Sequence, residues 1–125
     1  MISDRFLADT HILLWSINDD HRLSARHRSL LNSDAVIFAS VASIWEISIK
    51  RALGKLRAPE NLRIVLPDAD FPLLNIQPEH AETVATLPHH HRDPFDRLLI
   101  AQAQIENLTL LSADPHFALY EVDLV

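Results

Sequence analysis

The sequence predicts an α/β fold of three layers, α/β/α, around a central and mainly parallel sheet. Three observations carry this expectation. Apolar runs without polar–apolar alternation recur at Arg5-Phe6-Leu7-Ala8, Ala35-Val36-Ile37-Phe38-Ala39 and Leu108-Thr109-Leu110-Leu111-Ser112, as strands covered on both faces require. Segments with helical character lie between them, so strand and helix alternate. One glycine against seven prolines suits helices with proline-marked boundaries better than a series of tight hairpins.

The first strand, Arg5 to Ala8, stops at Asp9-Thr10, and His11-Ile12-Leu13-Leu14-Trp15 opens a helix. Asp9 therefore falls just beyond a strand C-terminus, where ligands gather in open α/β sheets. It is equally placed to cap the helix, with Thr10 a competing cap. Asn18-Asp19-Asp20-His21 reads as a loop. Ser24 caps a second helix to about Leu31, carrying Arg26, His27 and Arg28 outward.

The strand at 35–39 ends at Ser40, and a helix runs from about Val41 to Leu53 with Gly54 as its stop. Val41, Ile44, Trp45, Ile49 and Leu53 recur at helical spacing. Glu46 has two local explanations beside a functional one. Ser43-x-x-Glu46 matches a capping box if the helix begins at Ser43, and Lys50 stands four residues on as an ion-pair partner. Lys50, Arg51, Lys55 and Arg57 crowd the helix end, where cations suit the dipole; the cluster is structural or helps to hold a phosphate backbone.

Pro59 to Val65 is expected as a short helix, with Pro67 and Pro72 bounding a loop and Phe71 to Ile76 a short strand. Pro78 to Val84 follows as a helix. His89-His90-His91 is expected in an exposed loop, because three adjacent imidazoles cannot face one zinc ion from a helix or strand. Asp93 then caps a helix with Pro94 at its first position. Asp96 falls one turn in, and the unbroken run Leu98-Leu99-Ile100-Ala101 marks this helix as buried between layers. After the strand at 108–112, Asp114 precedes Pro115 as a turn residue, and Tyr120 to Val125 alternates enough to be an edge strand.

At 125 residues the chain is expected to form a single domain, 1–125, able to bury a core. There are no cysteines, which excludes disulfides and thiolate chemistry and fits a reducing compartment. No apolar run is long enough to span a membrane and no signal segment opens the chain, so a cytoplasmic location is expected. The net charge of −6 argues against a broad basic surface, although bound divalent cations would invert the field at a carboxylate-rich site.

Asp9, Glu46, Asp96 and Asp114 all fall near strand C-termini or adjoining helix starts, which share one edge of a parallel sheet. Carboxylates gathered there raise each other's pKa unless a cation intervenes, and all-oxygen sites suit Mg²⁺ or Mn²⁺. Chemistry that uses several carboxylates without cysteine or a histidine triad is metal-assisted phosphodiester cleavage.

The ordered set Leu7-Ala8-Asp9-Thr10, Trp45-Glu46-Ile47, Asp96-Arg97-Leu98-Leu99-Ile100-Ala101 and Ser112-Ala113-Asp114 resembles the PIN domain, in particular the VapC-type toxins of bacterial type II toxin–antitoxin pairs. The resemblance covers essentially the whole chain. It implies an Mg²⁺- or Mn²⁺-dependent endoribonuclease, a cognate antitoxin that blocks the site, an RNA substrate and a homodimer. Carried over by residue, Asp9, Glu46, Asp96 and Asp114 match the acidic site, with Asp9 and Asp96 the direct metal ligands, and Thr10 and Ser112 match supporting hydroxyls. Relatives often have asparagine where Asp114 stands. Aligning the downstream helix and strand assigns Asp96 to the site and leaves Asp93 as the cap. Lys50, Arg51, Arg92 and Arg97 are the candidate RNA contacts. The alternative is a PIN-like binding module without turnover. A phosphoryl-transfer domain would need an acid two residues after the first, where His11 and Ile12 do not supply it.

Overall fold

The structure is a computed structural model and describes residues 4–90 and 92–125. Its elements are β1 (Arg5–Ala8), α1 (Thr10–Ile17), α2 (Ala25–Leu31), β2 (Val36–Ser40), α3 (Val41–Ala52), α4 (Leu62–Asp68), β3 (Leu73–Leu74), α5 (Pro78–Val84), α6 (Pro94–Glu106) and β4 (Thr109–Leu111). A 3-10 turn, Pro115–Leu119, follows β4. Among the described residues the sheet has four parallel strands in the order β3-β2-β1-β4.

Strand β1 shows why the fold has three layers. Its side chains alternate, so Phe6 and Ala8 enter one core with Ile12, Leu13, Ile47, Leu62 and Leu66. Leu7 enters the other with Leu98, Leu99, Ile100, Leu110 and Phe117. Helices α1 and α4 thus cover one face and α6 the other. Leu99, Ile100, Ala101 and Gln102 are fully buried, as the unbroken apolar run in α6 requires. The register pairs Ala8 with Ala39 on one side and with Leu111 on the other. The residues that follow, Asp9, Ser40 and Ser112, therefore leave the sheet at one level.

Several sequence expectations are corrected. Helix α4 lies at Leu62–Asp68 rather than from Pro59 to Val65, with Pro67 inside it. Burial of Leu62 and Leu66, one turn apart, sets its position, and a proline next to the end of a short helix removes little. Strand β3 is reduced to two residues. The C-terminal segment pairs only at its end, through a parallel bridge between Leu110 and Leu124, because Tyr120 turns inward and is buried. His27 is buried rather than outward, with Nε2 on the Val125 carbonyl (3.1 Å). His89 and His90 are exposed as expected, whereas His91 lies outside the described residues.

Helix α3 begins at Val41 with Ser40 as its cap, so the box built on Ser43 does not form. It buries Ala42, Ser43, Glu46 and Ile47 and leaves Trp45, Ile49 and Leu53 exposed. Its apolar stripe faces outward and part of its polar side faces in. No helix among the described residues is long and apolar enough to cross a membrane.

Candidate active site

Asp9 and Ser112, which follow β1 and β4, and Ser40, which ends β2, are all buried polar residues at the C-terminal edge of the sheet. Asp9 follows β1 and is 3 % exposed. One oxygen, Oδ1, accepts the Ile12 N–H (2.8 Å) and so caps α1. The other, Oδ2, accepts the hydroxyl of Ser112, which follows β4. The capping reading of Asp9 is realised by one oxygen, while the other is held by Ser112. Burial pushes its carboxyl above the ordinary value against the pull of these two hydrogen bonds.

Asp114 is tied to the same hydroxyl: its N–H donates to Ser112 Oγ (3.0 Å). Its carboxylate caps the 3-10 turn through the His116 N–H (2.9 Å) and lies 2.9 Å from the His116 ring. Ser112 thus sets the spacing between two acids. Asp9 and Asp114, together with His11, Trp15, Ala113 and Pro115, line a cavity of about 320 Å³.

Glu46 enters from α3. Its Oε2 accepts from Lys50 Nζ (2.7 Å), the expected pair one turn apart, while Oε1 is buried and has no hydrogen-bond partner among the described residues. A buried, unpartnered carboxylate oxygen is costly. Lys50 is held in its charged form above all by Glu46, and also by Asp93 and Asp96.

Asp96 comes from the first turn of α6. Asp93 Oδ1 caps that turn, accepting the N–H groups of Phe95 (2.8 Å) and Asp96 (3.2 Å). The Asp96 carboxyl is pushed up to about 8, first by burial and then by Asp93, Glu46, Asp9 and Asp114 in that order. Asp96 thus feels the other three proposed acids and Asp9 feels Asp114, while Asp93 adds the largest neighbouring charge on Asp96 and serves as the cap.

The hydroxyl pattern is part expected and part not. Thr10 does not touch an acid; its hydroxyl meets that of Ser43 (2.9 Å) and joins α1 to α3. Ser40 caps α3 and also donates to Gln102 Oε1 of α6 (2.6 Å). That bond couples the helix bearing Glu46 to the helix bearing Asp96. Ser40, Ser43 and Gln102 are absent from the sequence-based set, although a glutamine inside an apolar helical run signals a buried amide in need of a partner.

The expected RNA contacts divide. Arg97 is withdrawn: it is buried, and its guanidinium donates to the carbonyls of Pro88 (2.8 Å), Val84 (2.9 Å) and Leu87 (3.3 Å). It fastens the loop before α6 instead of facing a ligand. Arg51 pairs with Glu60 (2.7 Å) and Lys50 with Glu46, whereas Arg92 is exposed.

The donor set fits a hard divalent cation. It is all oxygen, it includes Glu46 Oε1, which has no hydrogen-bond partner among the described residues, and burial followed by the neighbouring acids raises Asp96. Among the described residues no three acid or histidine side chains form a ready-made cage, so the carboxylates share a field rather than a closed coordination sphere.

The fold has counterparts among solved structures. The fold is similar to that of VapBC2 from Rickettsia felis bound to a promoter DNA fragment (TM-score 0.71, 18 % identity, 97 % of each chain covered). It is similar also to FitAcB from Neisseria gonorrhoeae (0.69, 19 %, 95 % of each chain). A toxin–antitoxin complex from Klebsiella pneumoniae gives 0.65 at 18 % identity, over 96 % of this chain and 95 % of that one. Curated protein sequences give no match. The sequence model of the PIN domain matches residues 6–123, a span that takes in β2, β3, β4, all of β1 but Arg5 and all four acids, and the chain belongs to the PIN-domain family.

Proposed function

We propose that the chain is a metal-dependent endoribonuclease acting as the toxin of a type II toxin–antitoxin pair. The observation that carries this reading is the gathering of Asp9, Glu46, Asp96 and Asp114 at the C-terminal edge of the sheet, with Asp96 pushed up first by burial and then by its acidic neighbours. Such a cluster is destabilising by itself and favourable around a divalent cation.

In this mechanism Asp9 and Asp96 are the principal ligands of Mg²⁺ or Mn²⁺, with Glu46 Oε1 and Asp114 completing the donor set. A bound ion of this kind polarises the phosphodiester and makes water nucleophilic at neutral pH. Ser112 holds Asp9 and Asp114 at fixed spacing, and Lys50 fixes Glu46 by one oxygen so that the other remains a donor. Asp96, which burial and its acidic neighbours keep protonated up to about 8, would have to be ionised to serve as a ligand. Attack of water on phosphorus with loss of the 3′ oxygen leaves a 3′-hydroxyl and a 5′-phosphate.

The similar structure from Klebsiella pneumoniae is a toxin–antitoxin complex by description, which supports a cognate antitoxin as partner. The exposed stripe Trp45, Ile49 and Leu53 on α3 offers an apolar surface for the antitoxin or a second copy in a homodimer. A cytoplasmic site of action goes with this role.

The test is cleavage of RNA by wild type with Mg²⁺, by wild type with EDTA, and by Asp96→Asn. Cleavage only in the first supports the assignment, and cleavage in all three overturns it. The alternative, a binding module without turnover, draws on the structural duty that Asp9, Asp114 and Glu46 each perform. It expects no cleavage in any arm and no stabilisation by Mg²⁺.

A further inference from the structure

A second cleft, of about 500 Å³, lies beside the acidic cavity and shares His11 and Trp15 with it as a common wall. Its charge is opposite. Arg22, Lys50, Lys55 and Arg57 line it against Asp20, in a chain whose net charge is −6. Lys50 is committed to Glu46 and Arg22 to Asp20. Lys55 and Arg57 are exposed and have no ion-pair partner among the described residues.

The shared wall is built from flat groups. The Arg22 guanidinium lies 5.3 Å from the Trp15 ring centroid, and the His11 imidazole stacks with the indole at 5.7 Å with planes 25° apart. These groups are held before any ligand arrives. Arg22 is forked onto Asp20 through Nε (3.1 Å) and Nη2 (2.8 Å). Asp20 in turn donates its N–H to the Trp15 carbonyl (2.8 Å) and accepts Arg28 Nη2 on its own carbonyl (2.8 Å). Trp15 packs its inner side on the core.

We propose that this cleft binds the single-stranded RNA flanking the scissile phosphodiester, with a base stacked on the Trp15–His11 platform and phosphates facing Lys55 and Arg57. The proposal rests on the nuclease reading above and moves the grip on substrate away from Arg51 and Arg97, whose guanidiniums are otherwise engaged. A π platform beside uncommitted cations is the combination that holds single strands regardless of sequence. An acidic peptide would use the cations but has no need of the stack. Because the two cavities share His11 and Trp15 as lining, a strand held here lies beside the acidic site.

The test measures binding of a short labelled single-stranded oligoribonucleotide by fluorescence anisotropy, on Asp96→Asn chains so that the strand is not cut. Trp15→Leu keeps apolar bulk against the core and removes the π face. It should weaken binding on the order of tenfold with an unchanged salt slope. The exposed double substitution Lys55→Gln with Arg57→Gln should weaken binding and flatten the slope of log affinity against log salt by about 1.4, or about 0.7 for each phosphate that is no longer neutralised. Melting curves establish that both variants fold.

Wild-type affinity and salt slope in both variants overturn the proposal. So does normal RNA binding combined with loss of binding to a co-expressed antitoxin, which would make the cleft a protein dock. If the active chain cleaves RNA with unchanged KM in both backgrounds, the cleft fails and the nuclease reading stands. If a chain that never cleaves still binds RNA through Trp15, Lys55 and Arg57, the nuclease reading fails and the cleft stands as an RNA-binding surface.

Discussion

The Ser112 hydroxyl donates to Asp9 Oδ2 and at the same oxygen accepts the Asp114 N–H, so one small side chain at the end of β4 positions acids from both ends of the sequence. The bond to Asp9 holds that carboxyl down against burial. Ser112→Ala should therefore raise the Asp9 pKa further and loosen Asp114, while removing little buried volume. Outer-shell partners of metal ligands are typically worth 10- to 100-fold; the expected result is a loss in Mg²⁺ affinity and cleavage rate of at least about tenfold with a nearly unchanged melting curve. Isothermal titration with Mg²⁺ reads the first quantity, and unaltered affinity would remove Ser112 from the supporting role.

Asp93 and Asp96 divide their duties within one turn of α6. Asp93→Ala deletes the acceptor of two helix N–H groups and should cost roughly 1 kcal/mol of stability. Asp93→Asn retains a capping oxygen and removes the nearest like charge on Asp96, so it should be close to neutral in stability. Asp96→Asn should abolish cleavage and leave the fold intact. Urea melts and an RNA cleavage assay on the three variants separate these outcomes.

The Asp96 carboxyl also gives a pH signature. Its folded-state value is about 8 against an ordinary 3.8. Between these values the folded chain keeps a proton that the unfolded chain has released, so stability falls as pH rises from about 4 to about 8. In EDTA the melting temperature should decline across this range, and the decline should shrink in Asp96→Asn. Mg²⁺ should raise the wild-type melting temperature most at the alkaline end, because the ion binds the folded state and requires the ionised carboxylate. A melting temperature that climbs with pH in EDTA would contradict the shared field.

Legibility in the sequence tracked how local each feature is. Ser24, Asp93 with Pro94, and Asp9 acted where their chain neighbours said they would, because capping is decided within a few residues. The four acids were legible as a set because the C-termini of parallel strands must share an edge. The failures are non-local. Burial of Leu62 and Leu66 overrode Pro67 in placing α4. The stripe on α3 had helical spacing, but spacing does not say which side meets the core, and Ile47 and Glu46 went inward. Arg97 read as a surface cation because nothing adjacent in sequence announces three carbonyls converging from the loop before α6. Ser40 and Gln102 stand 62 residues apart, beyond any local pattern.

Arg97 supplies the last test, because burial and ligand contact predict different consequences. Its guanidinium donates to three carbonyls of the segment 84–88 and also reaches the Tyr120 hydroxyl (3.4 Å). Lysine is a point donor without the planar fork, so Arg97→Lys leaves some of these carbonyls without their partner, and for the buried Leu87 carbonyl that costs about 1–3 kcal/mol. The expected result is a melting temperature lowered by several degrees together with unchanged KM for RNA at temperatures where the variant remains folded. Arg92→Gln, on the exposed side of the same helix start, should show the reverse: no loss of stability and any effect confined to RNA affinity. An Arg97→Lys chain of wild-type stability with weakened RNA binding would return this residue to the substrate side.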